Sequence, residues 1–399
     1  MRSAILACLL ALGCGSAKSG VTVDVAGTQG LPIPATNVSD ILVVDLSVGD
    51  AHATAVVDTG SPIVALDPSS FTGAHLPNGA GTVSTLTLGA LTFTNQSVVG
   101  ANLIASPDPS IPIGGSLGCG ILCAFAVSLD YRGSTVTLGS APAPANVASP
   151  GASVPFSLEG GGSETISGVP GSVVFPASRI AVSVTVEGKP YSFIVDTGSS
   201  FMLLRQALFT SLVADGRAQI GGIGTATVGQ ESTSAVTRLR SVVVGGEEVT
   251  GLVGNDDSSL EGVLDGIASE VGHDVDGLVG GSFLREFYVT VDYPGGALVL
   301  RRYTANGPSY DSFDRVGVAV TPANGTTPAT VSQVFPGTDA ASKGLAVGDL
   351  VLAIDGQPLA TLGSTAVNAL LSGDVGSSKT LELGTMTSVS VAVDDILPL

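Results

Sequence analysis

The chain contains no Trp, and aromatic residues make up 5% of its 399 positions. Charge is scarce as well, at 12%, with 15 Lys and Arg set against 34 Asp and Glu for a formal net charge of −19. So little positive charge cannot neutralise a row of phosphates, which excludes nucleic acid as a partner. An acidic surface of this kind mainly serves solubility. His52, His75 and His273 are the only histidines. None sits in a nucleophile setting that would suggest a Ser/His triad, and none lies beside a Cys pair, so no zinc or other metal site is expected. No P-loop or dinucleotide fingerprint occurs, and no cofactor is called for. After the first residues, no run is long and apolar enough for a transmembrane helix.

What is present is glycine, at 54 residues, with 22 Pro and a 44% hydrophobic content. Short Val/Thr/Ser-rich runs broken by Gly describe a mainly β chain with many turns. At about 150 residues per domain, two to three domains are expected. Arg2 and the apolar stretch Ala4 to Gly13 form a targeting segment, too short to span a bilayer. Leu10-Ala11-Leu12-Gly13-Cys14 resembles a bacterial lipobox, which would make Cys14 the lipidated residue of an exported lipoprotein. Its alternative is an ordinary signal peptide with a chance Cys. Gly15 after Cys14 leans towards the outer membrane of the cell envelope. Cys119 and Cys123 are the thiols left after export, where a disulfide is expected; two free buried Cys are the alternative.

One phrase occurs twice. Asp58-Thr59-Gly60-Ser61 and Asp196-Thr197-Gly198-Ser199 each follow an apolar run and lead into another, as strand, tight turn, strand. The aspartates are 138 residues apart (196 − 58 = 138). Two carboxylates at equivalent places in two similar halves can meet across a pseudo-twofold axis and share one proton. The ends of the halves repeat too. Ser128-Leu129-Asp130-Tyr131 matches Thr290-Val291-Asp292-Tyr293, and Ser116-Leu117-Gly118 matches Leu278-Val279-Gly280, with Ser116 in an otherwise apolar place. The second half is longer near Asn255 to Asp274, where clustered carboxylates read as a solvated acidic loop, with a calcium loop as the alternative.

These turns resemble those of aspartic proteases, closer to the compact retropepsin-like type than to large pepsins, since no Tyr occurs between Asp58 and Cys119. Both lobes stand in one chain, so a monomer would suffice. The resemblance implies a mainly β, two-lobed acid-protease β-barrel fold. It makes Asp58 and Asp196 the catalytic dyad. Thr59 and Thr197 would interlock the turns, Gly60 and Gly198 would permit the tight backbone, and Ser61 and Ser199 would donate to the carboxylates. Leu117, Gly118, Val279 and Gly280 would support the turns from beneath. Ile220-Gly221-Gly222-Ile223-Gly224 resembles a flap tip; Asn78-Gly79-Ala80-Gly81 is a weaker counterpart in the first lobe. Pro336-Gly337 through Gly356-Gln357-Pro358 resembles the PDZ domains of bacterial envelope proteases, an α+β domain that adds a peptide or protein C-terminus as a strand. Val316, Gly317 and Val318 would be its carboxylate-receiving loop.

The expected organisation is a signal and tether over 1–20, lobes over 21–148 and 149–304, and a PDZ domain over 313–399. The expected activity is an exported, lipid-anchored aspartic endopeptidase acting on polypeptides. Its optimum is expected at about pH 3 to 6, from serine donors lowering the dyad's pKa. A catalytically silent peptide-binding envelope protein is the alternative.

Overall fold

The computed structural model describes residues 21–101, 111–164, 172–227, 230–305, 313–323 and 327–399. Cys14 lies outside them. Among the described residues, no helix is long and apolar enough to cross a membrane.

The fold is mainly β, and its two repeated halves use the same strand pairings. Ile41–Val48 turns back as Ala51–Val57 in an antiparallel hairpin that ends at Asp58. After the turn, Val64–Leu66 leaves antiparallel to Ile113–Leu117, and that same strand runs parallel to Ala51–Val57. In the second half Arg179–Val186 and Lys189–Val195 make the hairpin that ends at Asp196. Met202–Leu204 and Gly277–Val279 then repeat the antiparallel and parallel pairings. Val57 thus pairs with Leu117, and Val195 with Val279. A strand covered on both faces reads as continuously apolar, and Ala55-Val56-Val57 and Phe193-Ile194-Val195 are buried throughout.

A seam joins the halves. Ala126–Asp130 pairs antiparallel with Phe287–Asp292, flanked by Thr135–Leu138 on one side and Ala297–Arg302 on the other. Val127, Leu129, Val289 and Val291 are fully buried there, and one apolar core runs through both halves. Midway along the seam the hydroxyls of Ser128 and Thr290 lie 3.0 Å apart. Cys119 and Cys123 form a disulfide across the short helix Cys119–Leu122.

Three stretches differ from the sequence reading. The acidic insertion is not a solvated loop. Its centre is the helix Glu261–Val271, whose Leu264 and Ile267 pack against Ile194, Leu203 and Leu278. Three of its carboxylates meet arginines: Glu261 and Asp265 pair with Arg205, and Glu270, its side chain buried, pairs with Arg179. Gly221 to Gly224 are not a hairpin tip. They lie in the first arm of the hairpin Gln219–Thr227/Gln230–Leu239, where the register breaks between Ile220 and Ile223. The pairing of the two arms continues past them as far as Thr227 with Gln230; residues 228–229 lie outside the described residues. Gly222 has φ +76° at the break, a left-handed conformation that glycine adopts without strain. In the first half Gly79 pairs with Gly100 at the base of a hairpin whose tip is Gly89-Ala90.

The C-terminal unit is α+β. The hairpin of Val318–Thr321 with Thr330–Val334 and a five-stranded sheet built on Ser378–Leu383 and Ser388–Asp395 enclose a separate core, beside the helix Ser364–Leu371. The unit is docked on the second half. Phe313, Phe335, Ile396 and Leu397 share a cluster with Ile220, Val236 and Val253 of the Gln219–Leu239 hairpin and its neighbour. Buried Arg238 donates to Leu397 O at 2.6 Å and Gly251 O at 2.7 Å. Gln333 Nε2 donates to Gly221 O at 3.3 Å.

Candidate active site

The two Asp-Thr-Gly turns meet on the axis between the halves and lock into each other. Thr59 Oγ1 donates to Val195 O at 3.0 Å and accepts from Thr197 N at 3.1 Å. Thr197 Oγ1 donates to Val57 O at 2.6 Å and accepts from Thr59 N at 3.0 Å. Both threonines are essentially inaccessible. Each hydroxyl satisfies a backbone N–H and a carbonyl that would otherwise be buried unpaired. Thr59→Ala is therefore expected to cost roughly 2–4 kcal/mol, from two lost bonds that leave the Thr197 amide and the Val195 carbonyl unpaired. Denaturant unfolding reads this directly, and Thr59→Ser should recover most of it.

Each turn is tied down from beneath. Asp58 N donates to Leu117 O and Asp196 N to Val279 O, both at 3.0 Å. Ser61 O and Ser199 O accept from Cys119 N at 2.9 Å and Gly281 N at 2.7 Å, so the chain just past Gly118 and Gly280 holds the far side of each turn. The interlock carries each carboxyl across to the opposite turn. A Cβ on Gly60 would lie 2.5 Å from Asp196 Cγ, and one on Gly198 would lie 2.8 Å from Asp58 Cγ. Only glycine leaves room for the facing carboxyl at either place.

The two carboxyls are within hydrogen-bonding reach of each other. Both aspartates are half-buried as residues, with the carboxyls enclosed by the facing turns. Desolvation raises the pKa of each above the usual aspartate value. Asp196, which also feels the charge of Asp58, is pushed up to about 7. Tyr131 and Tyr293, equivalent in the two halves, are buried nearby, and their hydroxyls are pushed far above the normal range, chiefly by that burial.

The serines of the turns do not donate to the carboxylates. Ser61 Oγ donates to Ile63 O at 3.1 Å and Ser199 Oγ to Phe201 O at 2.9 Å. Each closes a local bond two residues along its own chain, which turns it away from the dyad. The hydroxyl that reaches a carboxyl is Ser116, whose Oγ donates to Asp58 Oδ2 at 3.0 Å. Its one sequence signal was a Ser at a place where the other half has Leu278. Arg179 is a second residue the motifs did not flag. It binds Gly60 O from the opposite half, pairs with Glu270 at 2.9 Å, and its charge favours the ionised form of both aspartates.

Val316, Gly317 and Val318 do not form an open loop. Val316 ends the strand Asp314–Val316, Val318 begins Val318–Thr321, and all three residues are buried. Arg315 beside them bridges the strand to the helix, bonding Val318 O at 3.1 Å and Asn368 Oδ1 at 3.2 Å. Burial pulls its pKa down to about 10.

Residues 182–283 match the family model of aspartyl proteases, which takes in Asp196, Val279 and Gly280 but not the Asp58 half. Residues 330–383 match the PDZ domain model. No curated protein matches the chain. Among solved structures, the chain resembles an aspartic proteinase from Irpex lacteus, with 18% identity, 71% of this chain and 100% of that one covered, and a TM-score of 0.41. It also resembles a retropepsin-like aspartic protease from Rickettsia conorii, with 20% identity, 31% and 82% covered, and a TM-score of 0.21. An aspartyl-protease-like segment followed by a peptide-binding module is what these matches describe.

Proposed function

We propose that this chain is an aspartic endopeptidase that activates water with the Asp58/Asp196 pair, exported and anchored to the cell envelope through a lipid on Cys14. The observation that carries the catalytic reading is the pair itself: two desolvated carboxyls, each delivered by an interlocked turn to the glycine of the other. Like charges this close do not both ionise readily, so one proton is shared. The ionised carboxylate takes a proton from water as the water oxygen adds to the scissile carbonyl carbon. The protonated carboxyl gives its proton to the carbonyl oxygen. The resulting diol collapses when the amide nitrogen takes the proton from the first aspartate and the C–N bond breaks; a diol hydroxyl returns a proton to the second. The C-terminal unit supplies a site for an extended peptide or a protein C-terminus, and one chain suffices because both turns are in it.

Cleavage of a labelled peptide, and its block by a transition-state-like hydroxyl isostere of the scissile bond, test the reading. A bell-shaped pH profile is expected, with its alkaline limb near pH 7, where Asp196 loses its proton. The acid limb sits above that of an unperturbed aspartate, because burial also raises Asp58. This moves the expected optimum upward from the pH 3 to 6 that serine donors on both turns would have implied. No cleavage of any peptide by folded full-length protein between pH 3 and 8 would leave the fold as a binding module.

A further inference from the structure

We propose that Ser116 is a positioning residue that fixes the shared proton: its hydroxyl holds Asp58 as the ionised, water-activating carboxylate and leaves Asp196 as the protonated carboxyl facing the scissile carbonyl. This rests on the proposed peptidase reading and assigns the two roles within it.

The two halves are equivalent in strand pairing and in the threonine interlock, but not in what touches the carboxyls. Ser116 lies in Ile113–Leu117, beneath the first turn, and its Oγ donates to Asp58 Oδ2 at 3.0 Å. The equivalent place beneath the second turn is Leu278, buried and without a donor. Asp196 instead receives Gly198 N at 2.9 Å, the backbone amide of its own turn. Gly60 N likewise favours the ionised form of Asp58, so the turn amides act in the same sense on both aspartates, whereas the serine acts on Asp58 alone. A hydroxyl donor stabilises the charged form of the acceptor it points to. The other groups facing the pair are Arg179, which acts on both carboxyls, and the buried neutral tyrosines Tyr131 and Tyr293. Glu270 offsets part of the Arg179 charge through their ion pair. Ser116 is thus the hydroxyl that separates one aspartate from the other, and it comes from the supporting strand rather than from either turn.

The test uses the full-length chain with two readouts. In pH–rate profiles of kcat/KM, Ser116→Ala is expected to move the acid limb up by about one pH unit, the effect of losing one hydrogen bond to a charged group, with the alkaline limb changed less. Ser128→Ala is the matched control, since it removes another buried hydroxyl, bonded to Thr290 on the seam, and is expected to leave the limb in place. An unmoved acid limb in folded Ser116→Ala, or an equal shift in Ser128→Ala, overturns the assignment. The second readout needs no turnover. Carboxyl 13C titrations of Asp196→Asn and Asp58→Asn leave one aspartate each, and the lone Asp58 is expected to titrate below the lone Asp196. Equal values or the reverse order overturn the assignment, even if Ser116→Ala fails to fold or the protein cleaves nothing.

Discussion

Asp58→Asn and Asp196→Asn are each expected to lower peptide cleavage by roughly 10²–10⁴-fold, the usual contribution of a positioned acid or base, while raising the melting temperature near neutral pH. The loss follows from the proton inventory. An amide neither accepts the water proton nor supplies one to the carbonyl, so either replacement removes a role that the other aspartate cannot fill. The gain in stability comes from the same desolvation. A carboxyl whose pKa is higher folded than unfolded binds its proton more tightly in the native state. Its contribution is greatest below the unfolded value, near 4, and is lost as pH rises towards about 7, where folding must hold a buried charge. Asn at 196 never carries that charge. Melting curves from pH 4 to 8 should therefore flatten in Asp196→Asn relative to the parent, with the two curves separating most at the alkaline end. Retained turnover in either Asn variant would overturn the dyad. A drop in stability at pH 7 would show that the carboxyls are held by favourable contacts rather than against a desolvation cost.

Deleting residues 313–399 is expected to damage the second half, which carries Asp196, contrary to the independence that a linker-separated domain would have. The reason is the shared cluster. Ile220, Val236 and Val253 are buried against Phe313, Phe335, Ile396 and Leu397, and Phe201, five residues past Asp196, stacks at a tilt on Phe313 with 6.3 Å between ring centres. Exposing a buried side chain of this size costs about 1.5–3 kcal/mol. Several such losses, together with an Arg238 that no longer reaches Leu397 O, amount to an appreciable fraction of the stability of an ordinary domain. The Gln219–Leu239 hairpin, which the resemblance casts as the flap, would lose the packing at its base. Short-peptide cleavage is expected to fall at least tenfold in the truncated chain, and thermal unfolding to begin well below that of the full chain. Unchanged kcat/KM on a short peptide would mean that the docking has no bearing on the site.

Much of this was legible in the sequence because it is carried by local phrases. Apolar runs on either side of Asp58 and Asp196, and the repeat of Asp130-Tyr131 at Asp292-Tyr293, describe strands and their order, and strand pairing then follows from the repeat. What was not legible depends on register and rotamer. The glycines at 221 to 224 looked like a tip because glycine marks turns, but pairing continues past them as far as Thr227 with Gln230 and leaves them at a bulge. Ser61 and Ser199 stood beside the aspartates in sequence, yet a bond two residues away claimed each hydroxyl. Ser116, 58 residues from Asp58, reached it because parallel pairing brings Val56 beside Ser116. The acidic run near Glu261 looked solvated because its charges dominate the composition. Leu264 and Ile267, spaced three apart, were the signal of a helix with one packed face.

The seam through Ala126–Asp130 and Phe287–Asp292 has a consequence for direction. A cleft built by two identical chains looks the same to a peptide run either way round, and each bound molecule has two equivalent poses. Joining the halves along one chain frees each to change alone, and they have done so at Ser116 against Leu278 and in the longer second half. A peptide laid across the two turns would therefore meet different side chains at its amino and carboxyl ends, and its two directions would not be equivalent.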